Sequence, residues 1–423
     1  MDSSLKAVRF AGDVSIEKVK ITTRNGMSQD VAAQVIAIQL FEDLFSPFMT
    51  GSLILRESFD LLNIFPFAGE EQLELEIATP SLEKGNIKQT FYIYKMTDRE
   101  LLGEKSVVYQ LHFISTEAII DINKKVSRVF GDKPDDVVNY LLKDDINGLQ
   151  SKKEFKYEPS KTNIKFISNF WSPTKAIQYA TNQAVNLNNS PSYVFFENRD
   201  GFNFVTLETL YGAEVYQEFT YDKYTRDNLK NGGDAKNIGQ DYKRIDSVSV
   251  PLVNDYIDRI KSGMLASKLV SYDLTKKQYN VKPYNIFDDF SSHKHLNEFN
   301  TVSDRSIFRT NSLAMNYPRA NANFSGYGDA TNYRNEQKRL SLLKAAEANK
   351  IQIIVPGRCD YTVGQKVNVK LYKVAPLQYG ETDSMDNMLS GNYLISAINH
   401  YINRERHECN MELIKDSLIM KVQ

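Results

Sequence analysis

Two cysteines, a single tryptophan and no surplus of either charge are the scarcities of this 423-residue chain. Each narrows the field. Cys359 and Cys409 stand far apart with no CxxC pair, which excludes a disulfide framework and a cysteine-rich zinc site. With 52 Lys and Arg against 53 Asp and Glu, there is no basic excess for coating a phosphate backbone. No run approaches the roughly 18 apolar residues of a membrane helix, and the opening MDSSLKAVRFAGD lacks a basic segment followed by an apolar core. A soluble chain, made and used without secretion, is expected. At roughly 150 residues per domain the length allows two to four domains with proper cores.

What is plentiful is tyrosine and phenylalanine, 24 and 23 residues, beside many Val, Ile and Thr in short alternating runs. Such side chains suit pleated, half-buried surfaces, so the chain is expected to be β-rich. Strands are predicted over Ser15 to Thr22, Val31 to Phe41 and Ser52 to Leu55, with a short apolar segment at Phe59 to Phe67. Gln72 to Ile77 has a strict period of two, with Leu73, Leu75 and Ile77 on one face and glutamates on the other. Phe91 to Met96 and Val107 to Ser115 complete a set whose spacing predicts an antiparallel barrel over 1–116.

From Glu117 the period lengthens. Ile119, Ile122, Val126 and Val129 fall at helical spacing, and Asp135 to Leu142 predicts a helix with Pro134 in its first turn. Ser172-Pro173 caps a third helix over Thr174 to Val185, and Tyr193 to Phe196 turns at Asn198 to Gly201 into Phe202 to Leu207. This gives a small mixed α+β domain over 117–215. Strand signals return at Ile245 to Val250 and Gly263 to Asp273, and four more strands follow Ile351, the last two turning near Asn403 to Arg406. They predict a second antiparallel barrel from 216–275 and 351–423. The Asn-rich stretch between, with no sustained period, reads as an irregular insertion over 276–350 that ends in a helix from Arg334 to Asn349, with Leu340 and Leu343 on one side.

Chemistry is hard to find. His293-Lys294-His295 offers two metal donors, but without adjoining carboxylates or cysteines it reads as an exposed pair. His112, His400 and His407 read as barrel-surface residues, and Cys359 as a buried or half-buried strand thiol. Asp135 with Asp136, and Glu70 with Glu71, are adjacent acids of the kind chance supplies, and solvated faces explain them better than a glycosidase pair. Gly326-Tyr327-Gly328 is too short to cradle a phosphate, and no nucleophile elbow, zincin motif, Walker loop or dinucleotide fingerprint is present. No catalytic, cofactor-binding or metal-binding residue is assigned, and no enzyme activity is expected. From Phe41 to Pro80, Glu42, Asp43, Glu57, Asp60, Glu70, Glu71, Glu74 and Glu76 face Arg56 alone. They read first as one polar barrel face and second as acids lining a passage to which DNA would not stick.

The order of parts carries a resemblance. The run LFSPFMTGSLILRESFDLLNIFPFAGEEQLELEI, the domain entered through WSPTKAIQYA and closing on YVFFENRDGFNFVTLETL, and the final GRCDYTVGQKVNVKL with GNYLISAINHYINRERHECNMELI resemble the central baseplate hub proteins of contractile-tailed bacteriophages. The resemblance spans nearly the whole chain and extends to the hub part of type VI secretion spike proteins. It implies a homotrimer with two similar barrels per subunit in a pseudo-sixfold ring, joining the hexameric tail tube to the trimeric central spike. The implied partners are the spike, a tail-tube or tube-initiator protein, and sheath or wedge proteins. Sequence-specific nucleic acid is not among them, although DNA would traverse the lumen. The implied location is the virion tail baseplate, after assembly in the host cytoplasm. The chain ends soon after the second barrel, so the spike is expected to be a separate protein. The insertion is where the family pattern gives no guide. The alternative is a carbohydrate- or cell-surface-binding β-protein, since tyrosines stack well on sugar faces.

Overall fold

The computed structural model describes residues 8–58, 69–82, 85–102, 106–221, 238–253, 255–273, 277–303, 313–318, 329–373 and 385–422. The apolar segment Phe59 to Phe67 and the Gly326-Tyr327-Gly328 turn lie outside them. The first segment is strands but for a 3-10 turn at Ala32–Gln34: β1 (Ser15–Thr22), β2 (Ser28–Asp30), β3 (Val35–Asp43), β4 (Thr50–Glu57), β5 (Glu71–Ala78), β6 (Ile87–Leu102) and β7 (Ser106–Ser115). The period of two does in β5 what it predicts. Leu73, Leu75 and Ile77 are buried and lie opposite Ile21, Val19 and Ile16 of β1, so apolar pairs share one face. On the other face Glu74 and Glu76 carry the charge.

The small α+β unit follows: α1 (Thr116–Asn123), β8 (Val126–Phe130), α2 (Pro134–Lys143), β9 (Glu154–Tyr157), β10 (Phe166–Trp171), α3 (Pro173–Gln183), β11 (Tyr193–Asn198), β12 (Gly201–Thr206) and α4 (Leu207–Tyr211). Ser172 caps α3 by accepting from the Lys175 amide at 3.3 Å, with Pro173 in the first turn. The hairpin β11–β12 turns at Arg199-Asp200, where Asn198 pairs with Gly201. One expectation fails here: Val126 and Val129 belong to β8, not to a helix. The helix stops at Asn123, with Lys124 already extended, and the branched valines suit the strand that pairs with β10.

The strands and longer helices that remain are β13 (Val215–Tyr221), β14 (Ser247–Val253), α5 (Tyr256–Lys261), β15 (Ala266–Asp273), β16 (Gln278–Asn285), β17 (Phe299–Asn300), β18 (Leu313–Pro318), α6 (Asp329–Ala346), β19 (Asn349–Pro356), β20 (Lys366–Leu371), β21 (Gly391–Asn403), β22 (His407–Lys415) and β23 (Ser417–Leu418). The insertion is more regular than the sequence suggests. Gly263 to Asp273, expected as a strand of the second barrel, supplies β15, which pairs with β16 and β18 in a separate three-stranded sheet. Met264, Leu265, Ile286, Val302, Ala345 and Ala348 form the core beside that sheet. The buried face of α6 runs through Gln337, Ser341, Leu342, Ala345 and Ala346, with Leu340 and Leu343 only half-buried.

The β-rich, largely antiparallel character is as expected, but the described strands do not close into two barrels. They run as one thirteen-stranded sheet in the order β14-β19-β22-β21-β3-β4-β7-β6-β5-β1-β2, with β20 on β21 and β13 parallel to β20. The reason is β21. At 13 residues it spans about 44 Å, enough to pair with β20 through Gly391–Leu394 and with β3 through Ala397–Asn403 while β22 holds its other edge. Hydrophobic packing is nevertheless divided. One core gathers β1 and β3 to β7, and a second gathers β13, β19 to β22 and the β11–α4 region.

Candidate functional site

The three strand-bearing segments meet at the tip of the β11–β12 hairpin. Arg199 donates through Nη1 to the carbonyls of Gly85 at 3.0 Å and Cys359 at 2.7 Å, and its own carbonyl accepts from Gln89 Nε2 at 2.6 Å. The two-residue turn aims this guanidinium between the first and last segments. Nearby, the buried Glu197 carboxylate accepts from the Met49 amide at 3.0 Å and pairs with Lys153, which also reaches Glu117 at 2.8 Å. Burial opposes the Lys153 charge, yet Glu197 and Glu117 hold its pKa above the ordinary value. Glu42 crosses from β3 to accept from Thr362 Oγ1 at 2.5 Å and the Val363 amide at 3.1 Å; burial pushes it up to about 7. These charged groups hold segments distant in sequence together.

Sequence reasoning misplaced the histidine pair. His293 and His295 are nearly buried, because carboxylates distant in sequence come to them. His293 Nδ1 meets Glu208 of α4 at 2.5 Å and Nε2 meets Asp289 at 3.2 Å, while Lys338 reaches the same Asp289 at 3.4 Å. His295 Nδ1 meets Asp416 at 2.6 Å and its ring stacks on Phe290. Burial works against both protonated rings, but the carboxylate bonds prevail and raise both pKa values. Asp289 is held well below the usual range, chiefly by His293. The pair is thus a latch between the insertion, α4 and the chain after β22.

His400 and His407, expected on a barrel surface, are fully buried on the inner face of the last hairpin. Space for His407 comes from Gly357, where a Cβ would fall 2.3 Å from the imidazole. His112 is half-buried and meets Thr97 Oγ1 at 2.8 Å. Cys359 is buried, in a turn rather than a strand. Asp135 is buried and accepts from the Ser160 amide at 3.1 Å, a structural role. The acids between Phe41 and Pro80 do not form a continuous exposed face. Glu42, Glu57 and Glu71 are buried, Glu70 pairs with Arg24 at 2.9 Å, and Glu74 and Glu76 pair with Lys18 and Lys88; Asp60 lies outside the described residues.

The free edges at the two ends of the main strand order are blunted. β2 is three exposed residues, and β14 carries Pro251 at an irregularity between Ser249 and Leu252. The exposed apolar residues instead lie at hairpin ends and on the small unit. Tyr94, Met96, Leu101 and Leu102 stand out along the β6–β7 hairpin, with Leu101 77% exposed, and Val129 pairs with Ile167 on an uncovered face of β8–β10 beside Phe170.

No protein-family model matches the chain. Over 407 residues it is 21% identical to the probable baseplate hub protein gp334 of Vibrio phage KVP40, covering 92% of this chain and 91% of that protein. The likeness to phage baseplate hub proteins therefore holds. The fold agrees: the 43 kDa tail protein of prophage MuSo2 from Shewanella oneidensis superposes over 95% of this chain and 98% of its own, with 8% identity and a TM-score of 0.53. A tail protein from Neisseria meningitidis MC58 does so over 94% and 96%, with 10% identity and a TM-score of 0.56. What the baseplate-hub likeness could not single out is Arg199, Glu42 and the buried histidines, whose partners are visible only in three dimensions.

Proposed function

We propose that this chain is the structural hub of a contractile-tail baseplate, a homotrimeric, non-enzymatic adaptor between the hexameric tail tube and the trimeric central spike. The observation that carries this reading is end-to-end likeness to a baseplate hub protein, with neither chain much longer than the match. Two strand segments with separate cores support a reading with two similar units per subunit, as a ring of sixfold appearance needs. The division into 1–116, 117–215, 216–275 with 351–423, and an insertion over 276–350 is part of the proposal, supported by four distinct cores, with the last unit drawing on β15.

The exposed apolar residues of the β6–β7 hairpin make its tip the subunit contact in this reading. The partners are the spike, a tube or tube-initiator protein, and sheath or wedge proteins, in the virion tail. The sugar-binding alternative has less support: Tyr109, Tyr193, Tyr361 and Tyr393 are spent in cores. The test is co-expression with the neighbouring tube and spike genes. A complex retaining all three proteins with three copies of this chain supports the hub, and a chain that stays alone and binds glycans opposes it.

A further inference from the structure

The last hairpin carries a constellation that a connector does not need. Asn403 to Arg406 turn the chain so that His400 on β21 lies directly across from Cys409 on β22, with His407 two residues along on the same face. Three donor atoms converge there. His400 Nδ1 is 3.0 Å from His407 Nε2, and Cys409 Sγ is 3.4 Å from the first and 3.5 Å from the second. All three side chains are fully buried. Donors around a tetrahedral zinc-class ion, at about 2.0–2.3 Å from it, sit roughly 3.3–3.6 Å from one another. Only the imidazole pair stands slightly closer than that.

We propose that His400, His407 and Cys409 form a site for a thiophilic d10 cation of the zinc class, which clamps β21 to β22 in the middle of the continuous sheet. The proton count supports it. His407 Nδ1, which points away from the cluster, is buried without a hydrogen-bond partner, while the His400 ring has the Tyr361 backbone beside it. If both outer nitrogens carry the ring protons, two imidazole lone pairs confront each other at 3.0 Å. If an inner nitrogen carries one, that ring leaves a bare acceptor buried outside. A cation relieves the confrontation by taking both inner lone pairs and the thiolate, and the thiol proton leaves to solvent as the metal enters. Neutral imidazole nitrogens and one thiolate select zinc over magnesium or calcium, which take oxygen donors.

The surroundings are built for large donors. Gly357 lies against the His407 imidazole, and a Cβ at Gly12, whose φ is +89°, would fall 2.8 Å from the His407 carbonyl. Glu42 and Asp360 add negative potential toward Cys409, with Arg199 opposing it on the His400 side. The position is mechanically apt: β21 pairs with β20 before the cluster and with β3 alongside it. A cation there fixes the strand that both halves of the sheet share.

The experiment uses the full chain purified without chelators. Elemental analysis should find about one zinc per chain, and exchange into Co2+ should give the intense visible bands of an ion of low coordination number with a near-ultraviolet thiolate charge-transfer band. Cys409→Ser should abolish the charge-transfer band while Cys359→Ser leaves it unchanged. Because the Co2+ spectrum is read on the unaltered protein, misfolding of a variant leaves the test intact. A folded wild-type chain that neither carries zinc nor develops cobalt bands overturns the proposal, as does a charge-transfer band that survives Cys409→Ser and vanishes in Cys359→Ser.

Discussion

Replacing Arg199 with Ala severs the contact through which the small unit holds both ends of the chain. The guanidinium makes two charge-assisted bonds to carbonyls of Gly85 and Cys359, each worth about 1.5–3 kcal/mol where the acceptor is buried. Its pair with Asp200, a half-exposed neighbour, adds less than about 1 kcal/mol. The expected loss is about 3–6 kcal/mol, and Arg199→Lys should recover part of it, since one ammonium cannot replace both the Nη1 bonds to the two carbonyls and the Nε and Nη2 bonds to Asp200. The chain offers its own probe. Trp171, the lone tryptophan, ends β10 within the small unit, so its fluorescence follows that unit, while far-ultraviolet dichroism follows the large sheet. In urea the two transitions of the wild type should coincide, and in Arg199→Ala the fluorescence transition should move to lower denaturant and separate from the other. A variant whose two transitions stay coincident within about 0.5 kcal/mol of wild type refutes the reasoning.

The His293 latch should be pH-dependent. Its pKa is raised in the fold, so its contribution is full below the unfolded value of 6.5 and fades as pH rises through the folded one, while the lowered pKa values of Asp289 and Glu208 withdraw theirs as pH falls below the ordinary carboxylate range. Hydrogen-exchange protection in β15 and β16, with the intrinsic rate at each pH divided out, should therefore be greatest between the carboxylate range and about pH 6.5 and lose that optimum in His293→Gln. Glu42, raised from 4.5 to about 7, costs the fold about 3 kcal/mol as pH rises from below 4.5 to above 7; Glu42→Gln should flatten that decline in urea titrations, and an equal slope in both proteins would contradict it. Leu101→Lys with Leu102→Lys should leave the melting temperature within a few degrees of wild type while lowering self-association measured by sedimentation, because both side chains are exposed in the single chain.

How much of this was legible follows from where each signal resides. The β5 alternation, the Ser172 cap and the Arg199-Asp200 hairpin are local, and the sequence shows them directly. The β16 strand was hidden because most of it is exposed on both faces, so no apolar period marks it. The acidic look of Phe41 to Pro80 came from counting along the chain, when the lysines that answer Glu74 and Glu76 lie on neighbouring strands. The last hairpin was placed correctly, and that register already sets His400 opposite Cys409; what its pattern lacked was any sign that this face is covered. The continuity of the sheet through β21 escaped because one long strand looks the same whether it serves one sheet edge or two.

The hub reading stands or falls on assembly. The mass of the full chain in solution, measured by light scattering alone and then with its tube and spike partners, tests it most directly. The account predicts three chains per particle and retention of that trimer in the complex. A chain that remains a monomer at every concentration, with and without those partners, would contradict it.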